Sequence, residues 1–208
     1  MFPKNTTILF QGDSITDGAR GRSEDLNHVL GHGYVFLIAA RLTADRPDLG
    51  LRFHNRGCSG HTVVDLHARW KEDTIDLAPD VLSILIGVND VELGVSATQY
   101  ETVYRRLLED TRQALPQTHL VLCHPFMLPV GARKDRWKEL RADIDSRIDA
   151  IDRLAREFNA VVVRNQAVFD AACQHAPPEY WLWDGIHPMP AGHELMAREW
   201  LAAVEKSM

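Results

Sequence analysis

Five short apolar runs punctuate the chain, at Thr6–Phe10, Leu51–His54, Val81–Ile86, His119–Cys123 and Ala160–Val163. Most are continuous rather than alternating, which is the pattern of parallel strands covered on both faces. Between them lie longer stretches with helical spacing. Tyr100, Val103, Tyr104, Leu107, Leu108, Ala114 and Leu115 share one helix face, and Ser96 followed by Gln99 fits a capping box ahead of it. Trp137, Leu140, Ile144, Ile148, Ile151, Ala155 and Phe158 form a second stripe. Ala197, Trp200, Leu201 and Val204 form a third, behind Pro190, whose fixed φ suits a first helical turn. Strands that alternate with helices demand right-handed crossovers, so the chain reads as a three-layer α/β/α sandwich around a five-stranded parallel sheet. No repeat, low-complexity stretch or linker divides the 208 residues, and a single domain spanning 1–208 is expected.

Charge and composition narrow the function. The chain has 29 acidic and 23 basic residues, a net −6, with no basic tract to meet a nucleic acid. Its longest nearly apolar run, Val81 to Val88, includes Ser83 and Gly87 and is far below the ~20 residues of a membrane span. Near the amino terminus only Ile8, Leu9 and Phe10 follow one another, too few for a leader of ~7–15 apolar residues. Cys58, Cys123 and Cys173 are an odd set with no disulfide or zinc spacing. These features favour a cytoplasmic protein with reduced thiols and with neither nucleic-acid nor membrane partners. His28 and His32 are four apart, but no further ligand stands at zinc spacing, so neither metal nor cofactor is expected. His61 and His67 read as surface residues of the helix after Gly60.

In open α/β sheets, ligands sit beyond the carboxyl ends of the strands. Here the first strand runs into Gly12-Asp13-Ser14-Ile15-Thr16 and the second into Asn55-Arg56-Gly57-Cys58-Ser59-Gly60. The third runs into Gly87-Val88-Asn89-Asp90, and Trp183-Asp184-Gly185-Ile186-His187-Pro188 stands before the last helix. Acyl transfer is the chemistry such residues can perform. A serine hydroxyl attacks only when a base takes its proton, and histidine is suited to that near neutrality. The base needs a carboxylate on its second nitrogen, and Asp184-x-x-His187 supplies both groups from one loop. The oxyanion needs donors, which Ser14 and Gly57 offer as backbone N–H groups and Asn89 as a side-chain amide.

Any one of these pieces is common by chance. Together and in this order they resemble the SGNH hydrolases, the GDSL esterase/lipase family named for its serine, glycine, asparagine and histidine. The four fall on Ser14, Gly57, Asn89 and His187. The resemblance runs from residue 8 to about residue 200 and implies a flavodoxin-like sheet, serine esterase activity without a metal, and pairing of Asp184 with His187. Several stretches are similar to the intracellular acetylxylan esterases of this type: Gly12 to Asp17, Gly33-Tyr34-Val35, Asn55 to Gly60, Leu66 to Trp70, Ile86 to Val91 and Trp183-Asp184. That likeness implies a small acylated substrate, an acetylated xylo-oligosaccharide first, and homo-oligomers are among the states it allows. A thioesterase or lysophospholipase is the alternative within the family. A flavodoxin-like binder cradling a phosphate on Gly12-Asp13-Ser14 is the alternative outside it.

Other residues near the motifs carry weaker expectations. Trp183 is expected in the pocket wall and Asp13 beside the substrate, whereas Trp181 suits an anchor for the loop. The polar segment 17–33 is expected to rim the pocket or to meet another subunit.

Overall fold

The computed structural model describes residues 2–23 and 25–207. Its strands are β1 (Thr7–Gly12), β2 (Arg52–Asn55), β3 (Val81–Leu85), β4 (His119–Cys123) and β5 (Val161–Val163). All pair in parallel, in the order β2-β1-β3-β4-β5. The chain thus starts inside the sheet, adds β2 on one side and then crosses β1 to build outward on the other. The order reverses between β1 and β3, and their carboxyl ends part there to leave a crevice.

Both faces of the sheet are buried, which is why the strands read as continuous apolar runs. Ile8, Phe10, Val81, Leu85 and Val121 pack into one core, while Leu9, Leu82, Ile84, Leu120 and Leu122 pack into the other. The first core is closed by α2 (Tyr34–Asp45) and α9 (Pro190–Glu205), through Tyr34, Ile38, Met196 and Trp200. The second is closed by α3 (Val63–Ala68), α5 (Ala97–Ala114) and much of α6 (Trp137–Phe158), through Leu66, Tyr104, Leu107, Ile151 and Leu154. Ser83 interrupts its strand without cost because its hydroxyl accepts the Trp200 indole N–H at 3.0 Å.

Local signals settle most element ends. α6 begins and ends where its stripe does, and Asn159 in the left-handed conformation (φ 51°) stops it. At α5 only half of the expected box forms: Ser96 Oγ accepts the Gln99 N–H at 3.2 Å, with no return bond from the Gln99 side chain. A complete box stands instead at α3, between Thr62 and Asp65. His61 therefore lies in the loop ahead of α3 and not on the helix, contrary to the sequence-based expectation, whereas His67 is exposed on it. No helix among the described residues is long and apolar enough to cross a membrane.

Candidate active site

β1 ends at Gly12 and the chain turns at once into α1 (Ser14–Asp17). Asp13 caps this turn: its Oδ1 accepts the Ile15 N–H at 3.0 Å. Ser14 is the first helical residue, and its own N–H has no partner among the described residues, as is usual for the first donors of a helix. Asp13 is only 1% exposed, with Oδ2 buried and unpartnered, so its carboxyl is a structural cap and not the substrate contact expected of it. Burial, opposed by the Ile15 N–H and reinforced by the nearby Asp90 charge, pushes Asp13 up to about 7.

The loop between α8 (Pro178–Trp181) and α9 brings the second part. Leu182 and Pro188 bridge in antiparallel fashion, and the Trp183 N–H donates to the His187 carbonyl at 3.1 Å. Inside that closed loop Asp184 Oδ1 accepts the N–H groups of Ile186 (3.0 Å) and His187 (2.8 Å). Its Oδ2 lies 2.7 Å from His187 Nδ1, and His187 Nε2 lies 2.9 Å from Ser14 Oγ. Burial raises the Asp184 carboxyl, but the three hydrogen bonds from His187 and Ile186 outweigh it and hold the group below its ordinary value. A carboxylate so held keeps the Nδ1 proton of the imidazole in place, leaving Nε2 to accept from the serine. Ser14, His187 and Asp184 are thus brought together as one hydrogen-bonded chain.

Asn89 stands on α4 (Val88–Glu92), which follows β3. One N–H of its amide donates to the His61 carbonyl at 2.9 Å, and the other has no partner among the described residues. The His61 loop is fixed in turn. Arg69 Nε donates to His61 Nδ1 (3.2 Å), and the Asp90 carboxylate accepts the Val63 N–H at 3.0 Å. Adjacent residues Asn89 and Asp90 therefore grip adjoining points of the loop that leads into α3.

Gly57 does not fit the donor role expected of it. Its N–H donates to Asn55 Oδ1 at 2.9 Å, and the residue is buried against the backbone of Asp17. Gly60, three residues on, has the features required. It is exposed, its φ is 82°, and its N–H has no partner among the described residues. It also adjoins His61, which holds Asn89. The pair of glycines in Asn55-Arg-Gly-Cys-Ser-Gly60 offered this choice in sequence, but only the engaged N–H of Gly57 distinguishes them.

Asn55 and Arg69 lie in stretches that carry the family likeness, but the sequence assigns neither a role of its own. The Asn55 amide donates to the carbonyls of Thr16 (2.7 Å) and Leu30 (2.9 Å), tying α1 to the 17–33 segment. Arg69 donates to Arg56 O, Gln11 Oε1 and Gly12 O besides His61. Their reach across the fold, from Asn55 to Thr16 and Leu30 and from Arg69 to Gln11 and Gly12, is set by tertiary packing.

A cavity of about 300 Å³ opens beside Ser14, lined by Gly18, His32, Trp183, His187 and His193. Part of the 17–33 segment thus rims the pocket. Trp183 is 62% exposed and stacks on the His187 ring, with centroids 6.3 Å apart and planes 25° apart. Trp181 turns inward, its indole N–H on Ala176 O at 3.3 Å. Among the described residues no three His, Cys, Asp or Glu side chains are grouped to hold a metal.

Residues 10–195 match the model of the GDSL-like Lipase/Acylhydrolase family. The chain belongs to that family. It is 37% identical over 209 residues to an acetylxylan esterase of Geobacillus stearothermophilus, covering 95% of this chain and 93% of that one. As a family member with such a relative it is a carboxylic ester hydrolase, which sets aside the phosphate-cradle reading. Among solved structures, LAE5, an alpha/beta hydrolase enzyme from the metagenome of Lake Arreo, superposes with a TM-score of 0.88 at 35% identity, covering 98% of this chain and 97% of that one. A catalytic mutant of an acetylxylan esterase from Geobacillus stearothermophilus does so with a TM-score of 0.88 at 34% identity, covering 98% and 95%. Catalytic mutants of that enzyme have been solved at an aspartate, a histidine and a serine.

Proposed function

We propose that this esterase removes small acyl groups, acetyl above all, from sugars such as xylo-oligosaccharides. Ser14 attacks the ester carbonyl while His187 takes its proton, and Asp184 holds the imidazole oriented and stabilises its charged form. The free N–H groups of Ser14, Gly60 and the Asn89 amide receive the oxyanion, with Gly60 in place of Gly57. His187 then returns the proton to the departing alcohol, and water repeats the sequence on the acyl-Ser14 ester to release acetate.

The observation that carries this reading is the unbroken Ser14–His187–Asp184 chain at 2.9 and 2.7 Å, in a protein 37% identical to an acetylxylan esterase. The extent of that likeness, 95% of this chain and 93% of the acetylxylan esterase, favours a short acyl group over the thioesterase or lysophospholipase alternative. Acetate release from acetylated xylo-oligosaccharides, set beside nitrophenyl esters of rising chain length and acyl-thioesters, tests it. Rates highest on acetyl sugars and falling beyond acetate are expected. Faster turnover of long acyl-thioesters would overturn the sugar assignment.

A further inference from the structure

Ester cleavage divides the substrate between two sides of Ser14. The carbonyl oxygen must lie toward the oxyanion donors, and the departing oxygen toward His187 Nε2, which protonates it. The 300 Å³ cavity has Ser14, His187 and Trp183 in its wall, on the side of the protonating imidazole, which suits it to the alcohol half of the ester.

One wall of that room is His193, on α9, only 8% exposed. Its Nδ1 accepts the Tyr34 backbone N–H at 3.2 Å, so in the neutral ring the proton sits on Nε2. The Nδ1–Cε1 edge is packed against Gly33, where even a methyl group would come within 3.0 Å of Cε1. Nε2 has no partner among the described residues, yet it is not one of the unpartnered side-chain atoms buried from solvent. It is therefore a donor with its tautomer fixed by the backbone and its free edge open to the cavity. We infer that the His193 Nε2–H donates to a hydroxyl or ring oxygen of the departing alcohol, making His193 a specificity residue for polyhydroxylated leaving groups. Burial, together with the neighbouring His32 and His187, holds His193 down to about 4, so the ring stays neutral and keeps one donor near neutral pH.

This inference rests on the proposed sugar-esterase reading, and the test separates the two. kcat/KM is measured on acetylated xylobiose and on 4-nitrophenyl acetate, whose leaving group carries no hydroxyls, and the ratio of the two is compared across variants. His193→Asn keeps an acceptor for the Tyr34 N–H but withdraws the donor from the cavity, and it should lower the ratio about tenfold, the upper range for one hydrogen bond. His193→Gln, long enough to place an amide N–H where Nε2 was, should restore it to within about threefold of the wild type. An unmoved ratio, whether both rates fall together or neither changes, overturns the inference and leaves the esterase reading standing, as does a fall that Gln fails to repair. A wild-type enzyme without activity on acetylated xylobiose defeats the sugar reading itself. In the wild-type protein labelled with ¹⁵N at histidine, xylobiose should shift the His193 Nε2 resonance. A resonance unmoved at saturation overturns the inference even if neither variant folds.

Discussion

The Asn89 amide donates one N–H to the His61 carbonyl, 2.9 Å away, which fixes the side chain and leaves its second N–H without a partner among the described residues. A donor fixed in this way before substrate arrives needs no reorganisation as charge develops on the carbonyl oxygen. Asn89→Ala is expected to slow kcat on 4-nitrophenyl acetate by roughly 10²–10³, the usual effect of losing one such donor. A loss below about fivefold would remove Asn89 from the oxyanion site.

Ser14 and His187 are expected to act as a unit. Either single alanine variant should lose about as much kcat as the double variant, because a nucleophile without its base and a base without its nucleophile are equally idle. Rate measurements on the three variants check this, and losses that multiply would contradict the shared role.

The two glycines of the second loop separate by substitution. A Cβ on Gly57 would stand 2.3 Å from the Asp17 backbone nitrogen and 2.8 Å from Thr16 C, neither of which can give way. Gly57→Ala should destabilise the fold by about 3 kcal/mol, read from denaturant unfolding. A Cβ on Gly60 meets nothing within 4 Å, and only its positive φ resists, at about 1–2 kcal/mol. Gly60→Ala should therefore fold but lose on the order of tenfold or more in kcat as the turn relaxes and its N–H swings away. If instead Gly57→Ala folds normally and abolishes turnover while Gly60→Ala is silent, the donor is Gly57.

The buried carboxyl of Asp13 sets a pH dependence of stability. Its proton leaves the unfolded chain near pH 4 but the folded protein only near 7. Between those values the native state holds more protons than the unfolded chain. The stabilisation is complete below pH 4 and is lost as the pH rises to 7. Asp90, pushed up to about 6 chiefly by burial, acts in the same direction. Asp13→Asn keeps an acceptor for the Ile15 N–H and removes the charge, so relative to the wild type it should gain on the order of 2–4 kcal/mol between pH 5 and pH 8. Unfolding curves at the two pH values measure it, and parallel profiles would show that Asp13 is ionised in the fold.

The architecture and the three residues of the Ser14–His187–Asp184 chain were legible before any coordinates. Continuous apolar runs mean two covered faces, helical stripes mean crossovers, and the ends of parallel strands are where polar residues converge, all consequences of local pattern. Asp184 and His187 were legible as a pair because one short loop carries both. Folding selects which of several equivalent-looking groups remains free to act. Gly57 loses its N–H to Asn55 and Gly60 keeps its own, Asp13 turns from the crevice to cap α1, and His193 has its tautomer fixed by Tyr34, 159 residues away. A hydrogen bond has two partners, and whether they meet depends on the path of the backbone, over two residues for Gly57 and Asn55 and over the whole fold for Tyr34 and His193, which no spacing rule supplies.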